Sequence, residues 1–311
     1  MRGFLLLVFG VSVLAAFSVP AARITRNRVR WLLLLAGLGL IVVGCGGGSP
    51  TSPSAAPSTT PAPSPTPPAP PPPAPPTPPT FTGTVTNTVT GAPVAGFTAT
   101  VSGTRLTVSA PGYVTRETRF GVATVDLIPE SGFELTFYRQ FVRGAMDGSL
   151  YPNFRLMENP SIYMEVEGTK GLSAPTAARL EPVARAVIPA LTGGRLQLAR
   201  WETGPTPRSP QPGWIMIERR DEGNRCGSAS VGAIAGQIYL TGDLTGCNLQ
   251  ATLAHEIGHA LGFFHVDRQG YLMYPQIRGS NLADAPTDLE RRMAAIAYAR
   301  PRGNRDIDID P

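Results

Sequence analysis

The sequence predicts an α+β domain over residues 130–311, preceded by a small β-sandwich module over 81–129. Two observations carry this. Between 81 and 129, apolar and polar residues alternate in short runs broken by Gly/Pro turns, the signature of strands. After 130 the pattern reads strand, helix, three strands, helix, loop, helix, as in an α+β layout. A third observation separates both from what precedes them: residues 46–80 hold 16 of the chain's 33 prolines and cannot bury a core.

The chain opens with two apolar runs, 4–19 and 31–43, each shorter than the ~20 residues a membrane-spanning helix needs. The second follows an arginine cluster and ends in Val42-Val43-Gly44-Cys45. A positive flank, a short apolar core and a small residue before the cut mark 1–44 as a secretory leader. The ending resembles the bacterial lipobox, which implies that Cys45 is lipidated and anchors an exported protein to the cell envelope, at the outer membrane or cell surface. The alternative is an ordinary signal peptide with an incidental cysteine. The first apolar run is surplus to either reading, and initiation near Val29 would remove it.

The net charge of +5 comes from the leader. Arg2, Arg23, Arg26, Arg28 and Arg30 supply the whole excess, and the remainder carries 22 basic against 22 acidic side chains. Nothing in that balance favours a nucleic-acid partner. Residues 45–80 then form a Pro-rich stalk, extended at ~3.1 Å per residue.

Within the module, strands are expected over 82–87, 97–101, 105–109, 113–118 and 124–128. Gly91-Ala92-Pro93 and Ala110-Pro111-Gly112 supply turns. Gly83-Thr84-Val85, Thr90-Gly91-Ala92-Pro93-Val94 and Ser109-Ala110-Pro111-Gly112-Tyr113 resemble the carboxypeptidase-regulatory-like β modules of bacterial surface proteins. Beyond the module, residues 133–146 read as a helix and 161–167 as a strand. Residues 176–191 form a helix that Pro182 and Pro189 are expected to shorten. Strands follow over 195–201, 214–219 and 237–240. Helices follow over 249–261 and 288–300.

The chemistry concentrates in His255-Glu256-Ile257-Gly258-His259-Ala260-Leu261-Gly262-Phe263-Phe264-His265, which contains all three histidines of the chain. On a helix His255 and His259 lie one turn apart and face one way, so both imidazoles can meet one ion. Gly262 can take positive φ and end the helix, which lets the chain bring His265 back as a third ligand. Three imidazoles leave a tetrahedral Zn2+ one open position for water. Glu256 lies beside that position and is the candidate general base.

This motif is similar to that of the metzincin metalloproteases, and Met273 in Tyr271-Leu272-Met273-Tyr274-Pro275 resembles their methionine turn. The Leu-Met-Tyr-Pro wording resembles the matrixin branch, although Val266 stands where matrixins usually carry serine or threonine. The resemblance implies a mixed twisted sheet, an active-site helix and a C-terminal helix. It also implies zinc-dependent hydrolysis of peptide bonds in protein or peptide substrates, by a monomer. Tyr274, Pro275 and Ile277 would wall the substrate pocket, and an extended substrate would lie along an edge strand, for which 236–240 is the candidate. No histidine remains for a second zinc.

Cys226 and Cys247, 21 residues apart, are expected to form a disulfide in an exported chain, the alternative being two free thiols. Calcium has little support. Asp306, Asp308 and Asp310 alternate near the end but read most simply as an exposed, frayed tail, and Asp243 and Asp267 serve equally well as loop caps. Two other functions stand beside the endopeptidase. One is a zinc hydrolase acting on something other than peptides. The other is a surface adhesin or binding lipoprotein with an inactive metzincin domain.

Overall fold

The computed structural model describes residues 77–241, 246–275 and 283–311. The leader, Cys45, most of the stalk, Asp243 and Ile277 lie outside the described residues.

The module consists of two small sheets. β1 (Thr84–Asn87) pairs parallel with β5 (Thr124–Leu127), and β2 (Thr98–Ser102), β3 (Arg105–Ser109) and β4 (Arg116–Arg119) form an antiparallel meander. The alternation seen in the sequence places Val85, Leu106, Val108, Val125 and Leu127 inward, where they share one core.

The larger domain begins with α1 (Leu135–Arg143) and is built on a five-stranded sheet in the order β7-β6-β8-β10-β9. Here β6 is Ser161–Glu165, β7 Arg200–Gly204, β8 Trp214–Arg219, β9 Gly227–Ala229 and β10 Gly236–Leu240. All neighbours run parallel except β9, which pairs antiparallel with β10. Every residue of the internal strand β6 is buried. Such strands sit in sheets covered on both faces. The helices are α2 (Ala174–Ala190), α3 (Leu249–Ala260) and α4 (Asp288–Tyr298). α2 packs against α3, which lies on β9 and β10. The mixed sheet with its helices is the α+β architecture the sequence predicts.

Two elements differ from the sequence expectation. α2 runs unbroken through Pro182 and Pro189. Pro182 is exposed, and so is Ala178, the residue whose carbonyl loses its helical donor, so the break in the ladder falls on the solvent side of the helix. β7 begins at Arg200 rather than 195. Leu196 and Leu198 are buried in alternation, but the backbone N–H groups of Leu196 and Gln197 donate to the Thr192 hydroxyl and the Asn159 side chain instead of a ladder.

The last residues are not a frayed tail. Asp308 and Asp310 are buried, and Asp310 N–H donates to the Glu117 carbonyl while Glu117 N–H donates to that of Asp308. The tail thus lies along β4 of the module, within one compact unit, Pro73–Pro311. Its carboxylates meet arginines rather than a cation. Arg300, fully buried, donates from Nε to Asp308 at 2.5 Å and from Nη2 at 2.7 Å, and it also reaches Asp126 on β5. Arg116 bridges Asp126 and Asp310. Arg139 binds Asp306, so each of the three tail aspartates is held by an arginine.

Burial alone would raise the carboxyl of Asp126, but Arg300 and Arg116 hold it below its ordinary value. A carboxylate lowered in the folded state stabilises above its unfolded pKa and loses that contribution as pH falls through the folded value. Thermal stability should therefore drop as pH falls below about 4. The drop should be shallower in Asp126→Asn, as calorimetry across pH 2–7 can check.

Candidate metal centre

α3 is started by Asn248, whose side-chain oxygen accepts from the N–H groups of Gln250 and Ala251. Two turns on from that cap, His255 and His259 share the face predicted from their spacing. Helical geometry ends at Leu261, and Gly262 takes φ +109°, a region that disfavours any side chain. A Cβ there would also meet the Phe154 carbonyl at 2.5 Å. The chain turns, and His265 Nε2 comes to 3.2 Å from that of His255 and 3.1 Å from that of His259.

The other ring nitrogens fix the tautomers. His255 Nδ1 lies 2.7 Å from the Leu272 carbonyl and His259 Nδ1 2.8 Å from that of Phe263. A carbonyl only accepts, so each Nδ1 carries the proton and each Nε2 presents a lone pair. Burial pushes all three imidazoles below their ordinary value, His255 to about 4, so they are neutral at pH 7.

The lone pairs of His255 and His259 both face His265 Nε2, so one cation could be held by all three rings. Three nitrogens about 2.0–2.1 Å from a tetrahedral ion stand about 3.3 Å apart, close to the observed spacing. The three ligand atoms lie within 4.8 Å of one another and could hold a metal ion. This donor set fits zinc.

Glu256 is buried beside the triad, and its Oε2 has no hydrogen-bond partner. Burial pushes its carboxyl up to about 8, with Glu222 adding to the rise and Arg225 opposing it. A nearby cation favours the ionised form. Glu256 and the three histidines border a cleft of about 530 Å³ that also takes in Cys226, the whole of β9, Val231, Phe264 and Pro275.

Met273 is fully buried beneath α3. A Cβ on Gly258 would lie 2.3 Å from its sulfur, so glycine is what lets the turn approach the helix. The turn is bonded in four places. The Leu272 carbonyl takes His255, and the Met273 carbonyl takes Val266 N–H at 3.0 Å. The N–H groups of Leu272 and Met273 donate to the buried carboxylate of Glu290 at 3.2 and 2.9 Å. Sequence reasoning missed Glu290. Its spacing from Thr287 is that of a capping box, which the structure contains, but its bonds to the turn cross 17 and 18 residues and leave no local signal. Glu290 thus positions His255 through the turn, and partners of that kind typically matter 10–100-fold in metal affinity. Glu290→Ala should weaken zinc binding by roughly that factor in a competition titration against a chelator.

The edge strand is β9, not the expected β10, which is covered by β9 on one side and β8 on the other. Gly227-Ser228-Ala229 is three residues long with no apolar alternation, so nothing marks it as a strand. The Cys226–Cys247 disulfide forms as expected and ties the start of β9 to the entrance of α3. Closing a loop of this length is worth about 3 kcal/mol. Cys226→Ser/Cys247→Ser should lose roughly that much in urea denaturation, and the parent protein should lose a similar amount on reduction. Pro275 borders the cleft and Tyr274 is half-buried next to it.

A mixed sheet with an antiparallel edge strand, a histidine triad built from the helix beneath it and the turn that follows, and a methionine floor define a metzincin-like domain. Residues 178–291 match the family model for Matrixin, so this part of the chain is matrixin-like. The matched segment runs from α2 into α4 and contains the triad, the methionine turn and Glu290. Among curated proteins none matches. Solved structures similar to the chain include metalloproteinase-II from Bacteroides fragilis, at 12% identity over 65% of this chain and 78% of that one, with a TM-score of 0.33.

Proposed function

We propose that the chain is a zinc-dependent endopeptidase that binds substrate as an added strand along β9 and uses Glu256 as general base. The observation that carries this reading is the unpartnered carboxylate oxygen of Glu256 within a cleft that also exposes three convergent imidazole nitrogens. His255, His259 and His265 would hold the zinc, which when bound supplies a Lewis acid for a carbonyl and an acidified water.

The chain's own residues supply orientation and proton transfer. On either side of β9, the Cys226 carbonyl accepts from Thr241 N–H and Ser230 N–H donates to the Gln237 carbonyl. Antiparallel alternation therefore turns the backbone groups of Gly227 and Ala229 outward to the cleft. An extended peptide pairing there gains affinity from main-chain hydrogen bonds, with little demand on sequence. Gly227 also approaches Glu256 closely, since a Cβ on it would lie 3.0 Å from Oε1. The carboxylate thus lies under the bound backbone, where it can take a proton from the attacking water and deliver it to the leaving amine nitrogen. Pro275 borders the same cleft as β9 and, with Tyr274 and Ile277, would wall the pocket for the residue after the cleaved bond.

The same reading extends to location. Lipidation at Cys45 would hold the enzyme at the bacterial cell envelope, with the Pro-rich stalk carrying it outward. The adhesin alternative predicts no turnover. Purified protein should cleave an unstructured protein such as casein, lose activity to a chelator and regain it with one equivalent of zinc. Zinc-loaded protein that cleaves neither casein nor a peptide library would contradict the reading. Palmitate labelling that depends on Cys45 tests the anchor.

A further inference from the structure

The cleft differs chemically at its two ends, which are set by the residues flanking β9. Where the chain enters β9 stands Arg225, whose side chain is 68% exposed and borders the cleft. Its Nη2 lies 3.1 Å from Glu222 Oε2, but that carboxylate also binds Arg220 through Oε1 and accepts from the Ser228 hydroxyl. Two guanidinium groups share this one carboxylate, so it does not neutralise both.

Where the chain leaves β9, Val231 borders the cleft, and a Cβ on the next residue, Gly232, would meet Phe154, the neighbour of Phe264 in the cleft wall. The Phe264 ring is backed by Tyr151, stacked at 5.3 Å and 9°, with Phe154 at 6.3 Å. Among the described residues bordering the cleft, Arg225 and Glu256 are the only ones with charged side chains. This end is therefore apolar.

We infer that the cleft selects a carboxylate on the C-terminal side of the scissile bond, opposite Arg225, and apolar side chains on the N-terminal side, against Val231 and Phe264. The inference rests on the endopeptidase reading and on strand direction. A peptide added antiparallel to β9 has its N-terminal half beside Val231 and its C-terminal half beside Arg225. The carboxylate has two sources, an Asp or Glu side chain or the free end of the peptide.

Fluorogenic peptides that differ only at the second residue after the cleaved bond, Glu against Lys, test this on the full zinc-loaded chain. Each is offered as a terminal acid and as an amide. The expected ratio of kcat/KM, Glu over Lys, is roughly fivefold, as for a partly exposed ion pair, and it should shrink as salt rises. Arg225→Gln should bring the ratio near one, Arg225→Glu should invert it and Arg225→Lys should keep it. Equal use of Glu and Lys combined with an acid-over-amide preference that Arg225→Gln removes supports the chain end as the carboxylate source. A ratio near one in the parent for both comparisons overturns the inference, as does a preference that Arg225→Gln leaves intact. Either result leaves the endopeptidase reading standing. Absence of cleavage of every peptide overturns both.

Discussion

Glu256→Ala should lower kcat/KM for peptide cleavage by roughly 10²- to 10⁴-fold, the usual worth of a positioned general base, while zinc per chain stays at the parent value. The two readouts separate roles that would otherwise be confounded. Glu256 touches none of the three convergent nitrogens in the hydrogen-bond network, and its unpaired Oε2 faces no protein donor. Removing it therefore leaves the ligands, their tautomers and the bonds to Leu272 and Phe263 in place. His259→Ala should instead lose metal and activity together. Retained cleavage in Glu256→Ala would exclude this carboxylate as the base, and loss of metal in the same variant would make it a ligand.

Arg300→Ala should cost about 3–5 kcal/mol in denaturant unfolding, the range for breaking a buried ion pair by removing one partner. The arginine is fully buried, as is Asp308, and its loss strands that carboxylate together with part of the pairing of Asp126. Burial opposes the charge on Arg300, but Asp308 and Asp126 more than offset it and hold the guanidinium protonated. The double replacement Arg300→Met/Asp308→Leu should recover much of the loss, because two apolar side chains need no partners. The site also lies where module, tail and α4 meet, so the single variant should loosen all three in one transition. A change below 1 kcal/mol would show that the module and the larger domain are not coupled through this cluster.

How much of this was legible in the sequence depended on the range of each signal. The triad was legible because helix geometry converts the spacing of His255 and His259 into a shared face, and Gly262 marks where the helix must end. The module's strands were legible from alternation, since one face of each small sheet is buried. β9 was not, because a three-residue strand of Gly, Ser and Ala gets its extended form from Tyr239 and neighbouring partners across the sheet rather than from its own side chains. The alternating aspartates of the tail look like solvated polar residues until Arg116, Arg139 and Arg300 are brought against them, and Arg116 lies 194 residues from its partner Asp310. Glu290 announced a helix start but not its bonds to the methionine turn. In each case the missing information was a contact between distant segments, and local pattern carries none of it.

The proposed activity requires that three imidazoles jointly hold one metal ion and leave room beside Glu256. X-ray absorption at the zinc edge of the protein loaded with one equivalent tests it most directly. The expected result is one tightly held zinc per chain, with three nitrogen neighbours at about 2.0–2.1 Å and an oxygen completing the shell. Zinc removed by simple dialysis, or bound through sulfur or through fewer than three imidazoles, would contradict it.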